Sequence, residues 1–232
     1  MNDEKLISEI AQSIQNNKKK GFKIDCIQSP NFNKRKSDVS AIIIYCTNTN
    51  RISSIISWFQ KKISRASSHF IIGRDGRIVK MVDVDKKAWH AGESYFRGKN
   101  NVNKFSVAIH LVGTQISGFT DRQYQACSYV CSLVLEDYDI ELNDIVSCNS
   151  IRRNDKTDLG PKWQWEKFHT YLSERIESSI VDEEPEPDKD ELNNCLLYSP
   201  DSLMESRNDS IPKNWLLKLI FIILKILKLK DV

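Results

Sequence analysis

His69-Phe70-Ile71-Ile72-Gly73-Arg74-Asp75-Gly76-Arg77-Ile78-Val79-Lys80-Met81-Val82 is the stretch that decides the fold. Two short apolar runs flank Arg74-Asp75-Gly76-Arg77, and Asp-Gly supplies the positive φ of a tight hairpin turn. Strands are therefore expected near 68–73 and 77–82. On the N-terminal side, Ala41-Ile42-Ile43-Ile44-Tyr45 is a β-branched run suited to a strand near 40–45 buried on both faces. Ile52, Ile55, Ile56 and Phe59 then continue at helical spacing. On the C-terminal side, 105–112 is a third buried run, and Thr120 with Gln123 forms a capping box that opens a helix with Cys127, Val130, Cys131, Val134 and Leu135 as its apolar stripe. Helices interleaved with these strands predict an α/β fold, a central mixed β-sheet flanked by helices. A last helix is expected from near Trp163 to just before Val181, with Trp163 and Trp165 packing it onto the sheet.

The 232 residues bury one proper core and leave room for appendages. Hydrophobic residues at 40% and charged residues at 28% exclude a wholly disordered chain and a polytopic membrane protein. A net charge of +3 gives no ground for a nucleic-acid partner. The charge is unevenly spread: residues 181–210 carry ten acidic and two basic side chains, and 211–232 carry five basic and one acidic. The expected organisation is an amphipathic N-terminal helix within 1–24, a catalytic or binding domain over 25–180, an acidic flexible linker over 181–210, and a basic amphipathic helix over 211–232. Six scattered cysteines without a CxxC pair, and an N-terminus lacking the apolar core of a signal peptide, suggest a cytoplasmic chain with reduced thiols.

Eight segments, in order, carry a family resemblance: Ser29-Pro30-Asn31-Phe32, Ile44-Tyr45-Cys46-Thr47, Trp58-Phe59-Gln60, Ser67-Ser68-His69-Phe70 with Arg74-Asp75-Gly76, Ala88-Trp89-His90-Ala91-Gly92, Ser94-Tyr95-Phe96-Arg97-Gly98, Phe105-Ser106-Val107-Ala108-Ile109, and Lys156-Thr157-Asp158-Leu159-Gly160-Pro161. Together they resemble the zinc-dependent N-acetylmuramoyl-L-alanine amidases, which include phage lysozyme-type amidases and peptidoglycan recognition proteins, and most of all the bacterial branch acting on anhydromuropeptides. The resemblance covers roughly residues 25–175 and implies a muropeptide or peptidoglycan fragment as ligand.

It also implies a zinc ion held by two histidines and a third Asp or Cys, with an open position for the attacking water. Placed on this chain, the first ligand position holds Tyr45, the second Cys148, and only Asp158 is kept. The carboxylate expected to assist the water is replaced by His110, while Lys156, expected to stabilise the oxyanion, is retained. A tyrosine phenol ordinarily ionises near pH 10 and is a poor zinc ligand near neutrality. Three readings of the altered site follow. It is degenerate and binds through Trp89 and His90 without hydrolysis. It is rebuilt around Cys148, Asp158 and His110, or around Cys46 if the strand register slips by one. Or it works without metal through a Cys148–His110 pair. His69 is expected to be structural, His169 a surface or packing residue, and Cys127 and Cys131 core thiols.

Trp215 to Leu229 is 15 residues, short of the roughly 20 that span a bilayer. Lys218, Lys225 and Lys228 share one helical face opposite Leu, Ile and Phe, which suits a helix lying in a membrane interface. Residues 211–230 are therefore expected to bring the protein to the inner face of a membrane, with docking on protein as the alternative.

Overall fold

The computed structural model describes residues 22–152 and 158–182; the expected N-terminal helix, Lys156, most of the acidic linker and the C-terminal helix lie outside the described residues. By contact the chain divides into residues 1–175 and 176–232. In the first unit a six-stranded sheet runs in the order β1 (Ile24–Cys26), β5 (Ile78–Lys80), β4 (Phe70–Ile72), β9 (Ser106–Leu111), β3 (Ala41–Cys46), β10 (Ile145–Ser147). All neighbours are parallel except β4 and β5, so the sheet is mixed as expected.

The two central strands explain the apolar runs. Every residue of β3 and β9 is buried, because interior parallel strands are covered on both faces. The hairpin forms as its Asp-Gly predicts: Gly76 takes φ 85°, and its N–H donates to the Gly73 carbonyl at 2.9 Å. A β-carbon at Gly76 would also lie 3.2 Å from the Arg122 carbonyl oxygen. The strands themselves are shorter than the runs, three residues each.

Helix α1 (Ile52–Phe59) buries Ile56 and Phe59. Helix α2 (Asp121–Asp137) opens with the expected capping box, in which the Gln123 N–H donates to Thr120 Oγ1 and the Thr120 N–H to Gln123 Oε1. The Gln123 amide also donates to the carbonyls of Val112 and Ile72 at 2.8 and 3.3 Å, so one side chain both caps the helix and ties it to the ends of β9 and β4. Cys127 and Cys131 are fully buried core thiols, and burial raises the Cys127 pKa well above the ordinary thiol value.

Helix α3 (Trp165–Asp182) starts two residues later than expected and includes Val181 and Asp182. Trp163 stacks on Tyr124 of α2 at 4.5 Å, and Trp165 meets Trp163 and Phe168 edge-on, so Trp163 ties the helix start to α2. His169 is a packing residue beside Trp165 and Phe168. Two ribbons complete the unit: β2 (Phe32–Lys34) with β6 (Lys86–Ala88), and β7 (Tyr95–Phe96) with β8 (Lys99–Asn100), both antiparallel.

Candidate active site

The site lies where β3 and β9 end side by side, outside the carboxyl ends of parallel strands, where open α/β sheets bind ligands. Parallel register sets Tyr45 opposite His110, and alternation puts Ala41, Ile43 and Tyr45 on one face of β3. Cys46 belongs to the other face, where its thiol donates to Asn48 Oδ1 at 3.3 Å. The one-residue slip that would bring Cys46 into the site does not occur, because six paired residues between β3 and β9 fix the register.

Tyr45 is 1% exposed. Its ring stacks on His110 at 4.5 Å with planes 7° apart, and the far edge of His110 meets Phe59 at 5.3 Å. The phenol lies 2.9 Å from His90 Nδ1, and His90 Nε2 lies 3.3 Å from Ser106 Oγ. Proton directions follow from the end of this chain. Ser106 gives its hydroxyl proton to the Val102 carbonyl at 2.7 Å, so it accepts from His90 Nε2–H, and His90 Nδ1 accepts from the Tyr45 hydroxyl. Burial first, then the nearby His69, His110 and Arg35, hold the His90 pKa well below 6.5, in keeping with a neutral ring. His110 lies 2.8 Å from Ser68 Oγ through Nδ1; Ser68 turns its one hydroxyl proton to the Phe70 carbonyl at 2.8 Å, with the Ala108 carbonyl at 3.1 Å beside it, so His110 Nδ1 carries the proton.

Beside this centre stands a frame of Arg35 and His69, of which Arg35 carries no mark in the sequence. Arg35 points all five N–H bonds at carbonyl oxygens: Val84 (3.1 Å), Asn103 (3.3 Å), Lys104 (2.9 Å), Lys86 (2.8 Å) and Ser106 (2.9 Å). His69 is fully buried, accepting the Ala108 N–H on Nδ1 at 2.9 Å and donating Nε2–H to the Lys86 carbonyl at 3.0 Å. Burial, together with the charges of Arg35 and His110, pushes its pKa down to about 3. The structural role expected for His69 is what the structure shows.

Trp89 is half-buried. Its indole N–H donates to Asn33 Oδ1 at 2.7 Å, and its backbone exchanges bonds with Ser67. The indole donor is thus already used within the fold. His90, placed beside it in the sequence, has both ring nitrogens engaged within the centre.

Cys148 and Asp158 come together as a second group. The Cys148 thiol is fully buried in the apolar cluster that includes Tyr45, and it donates to Asp158 Oδ1 at 3.8 Å. The Asp158 carboxylate also accepts from the backbone N–H groups of Asn149 and Gly160 at 3.2 and 3.1 Å. A thiol that gives its proton to a carboxylate is not a nucleophilic thiolate, which disfavours the metal-free Cys148–His110 pair.

These residues do not fit a catalytic zinc ion. Such a site needs three protein ligands around one point, and among the described residues no three His, Cys, Asp or Glu side chains converge in that way. Tyr45 O–H is committed to His90, and His110 lies flat against the Tyr45 ring.

The sequence matches the Amidase_2 family, N-acetylmuramoyl-L-alanine amidase, over residues 35–161. It is 42% identical over 110 residues to the 1,6-anhydro-N-acetylmuramyl-L-alanine amidase AmpD of Escherichia coli, covering 47% of this chain and 60% of that protein. It is 32% identical over 171 residues to AmpD of Haemophilus influenzae, covering 64% of this chain and 93% of that one. Over most of the AmpD sequences the matched part is thus about 60% of their length. The fold superimposes on the crystal structure of an AmpD derivative with a TM-score of 0.60 at 29% identity, covering 64% of this chain and 94% of that one. With the family's segments in order on its sheet and strand ends, the chain belongs to the N-acetylmuramoyl-L-alanine amidase family.

Proposed function

We propose that this member of the family binds muropeptides without hydrolysing them. The observation that carries this reading is Tyr45: at the strand end where the family places its first zinc ligand, a buried phenol is stacked on one histidine and hydrogen-bonded to another. Cys148 and Asp158 then leave two donors where a catalytic zinc needs three, and no water can be held and polarised. The competing reading is an active amidase rebuilt on Cys148, Asp158 and His110. The 3.8 Å approach of Cys148 to Asp158 favours it, but it requires His110 to leave both Tyr45 and Ser68.

The ligand class is an anhydromuropeptide or peptidoglycan fragment, since the named relatives are anhydromuramyl-alanine amidases. The Trp89 ring, held by Asn33 and Ser67, supplies the apolar contact, and His90 stiffens the segment behind it. Lys156 would face the same ligand but lies outside the described residues. We place the protein in the cytoplasm, with residues 211–230 touching the inner face of a membrane and the acidic stretch 181–210 repelled by that surface. No helix among the described residues is long and apolar enough to cross a membrane.

The test is incubation of the purified full-length protein with an anhydromuramyl tripeptide, with and without added zinc. No peptide should be released, while calorimetry should show weak binding that Trp89→Ala removes. Turnover abolished by a chelator would instead establish the rebuilt site, and absence of any binding would mean a scaffold with a different ligand.

A further inference from the structure

From Val39 to Arg74 the chain carries five basic side chains and no acidic one. Lys61, Lys62 and Arg65 are exposed and, among the described residues, take part in no ion pair. Between them Ile63 is 84% exposed, and Trp58, at the end of α1, is 48% exposed. An aliphatic side chain held outward among three cations suits a partner that takes both kinds of group.

The turn that presents them is fixed from beneath. The amide of buried Asn31 reaches the Lys61 carbonyl at 2.9 Å, Ser64 Oγ at 3.0 Å and the Ala66 carbonyl at 3.0 Å. Ser29 donates to the Phe59 carbonyl at 2.6 Å, and Ser64 to the Lys61 carbonyl at 2.8 Å. A short 3-10 turn over Lys62–Ser64 closes on Arg65 in the left-handed region, φ 46°. Ile63 is thus held outward by hydrogen bonds its own side chain does not make, and little ordering entropy is left to lose on docking.

We propose that residues 58–65 are a docking face for an anionic lipid bilayer, with Trp58 and Ile63 entering the interfacial layer and Lys61, Lys62 and Arg65 meeting headgroup phosphates. Trp, an aliphatic apex and flanking lysines are the combination a bilayer interface accepts. A nucleic acid would use the cations and the indole but has no place for Ile63. Phe59, next to Trp58, packs edge-on against His110 at 5.3 Å, so this face adjoins the site, and docking would hold the cleft close to the lipid surface. The face is separate in sequence from residues 211–230, and either can bind without the other.

The experiment is partition of the full-length protein onto vesicles of phosphatidylcholine with phosphatidylglycerol, against phosphatidylcholine alone. The protein should prefer the anionic vesicles. Lys61→Gln/Lys62→Gln should weaken that binding by about 25-fold, about fivefold for each lysine, and Ile63→Ser by about tenfold. All these side chains are exposed, so unchanged urea midpoints verify folding. A Lys218→Gln/Lys225→Gln/Lys228→Gln variant reports separately on the C-terminal segment. Loss in that variant alone, with the 61/62 and 63 variants binding as wild type, overturns the docking face and keeps the C-terminal helix. The reverse pattern establishes the docking face and removes the C-terminal reading. Equal binding to neutral vesicles, or binding of a DNA duplex but not vesicles through the same lysines, also overturns it.

Discussion

The frame around Arg35 and the centre around Tyr45 bury polar side chains within a few ångströms of each other, yet they are built on different terms. Arg35 and His69 bond almost wholly to backbone, clamping the segments that carry Lys86, Asn103, Lys104, Ser106 and Ala108. Tyr45, His90 and His110 bond and stack with side chains. A clamp on backbone depends on one residue and cannot change without loosening the fold. A cluster of side chains can exchange members when they change together, which is how a ligand position can hold tyrosine while the scaffold stays that of the family.

The largest expected difference between the two comes from truncating each. Arg35→Ala removes the guanidinium from five carbonyls at once; Lys86 keeps its bond from His69 and Lys104 is exposed, so with a cost of about 1–3 kcal/mol for each of the other three acceptors left unpaired, partly relieved by entering water, a loss of about 3 kcal/mol or more is expected in urea unfolding. Arg35→Lys should not rescue it, since an ammonium cannot reproduce the planar five-donor fork. A loss below about 1 kcal/mol would show that the clamp is dispensable.

Acid should weaken the frame next. His69 has a folded pKa of about 3 against an ordinary 6.5. Below pH 6.5 the unfolded chain therefore takes up a proton that the folded chain refuses until about pH 3. Stability from this group is complete above pH 6.5 and falls as pH drops, by on the order of 2 kcal/mol at pH 5. Urea midpoints at pH 7 and pH 5 measure the effect, and equal midpoints would contradict a buried neutral His69.

Tyr45→Phe should have the smallest effect. It keeps the ring stacked on His110 and removes the proton given to His90, for a loss of about 1 kcal/mol. If the variant were instead more than about 3 kcal/mol less stable, the hydroxyl would be holding more than His90, and the centre would not be an exchangeable cluster.

Much of the scaffold was legible because its signals are local. The buried runs of β3 and β9, the Asp-Gly turn and the Thr120/Gln123 box each need only neighbouring residues to form. Strands β1 and β10 were not, since Ile24-Asp25-Cys26 and Ile145-Val146-Ser147 are three residues each and exist only through their pairing with β5 and β3. In the site, parallel register made the meeting of Tyr45 with His110 natural, and the spacing of Cys148 and Asp158 brought those two together. Arg35 escaped notice because Asn33-Lys34-Arg35-Lys36-Ser37-Asp38 reads as a solvated charged loop, and nothing in it marks one guanidinium for burial. Ser106 and Ser68, which set the proton positions on His90 and His110, carry no sequence signal as hydrogen-bond termini.

We propose that the strand end where the family holds its first zinc ligand is here a metal-independent cluster, and zinc content of the purified full-length protein decides the matter. After equilibration with zinc and removal of the excess, well under one equivalent should remain, with Tyr45→His/Cys148→His/His110→Glu gaining both zinc and some release of peptide, and single changes gaining neither because the residues act as a unit. One tightly held equivalent of zinc in the unaltered protein, lost with Cys148→Ala, would contradict it and establish a rebuilt metal site.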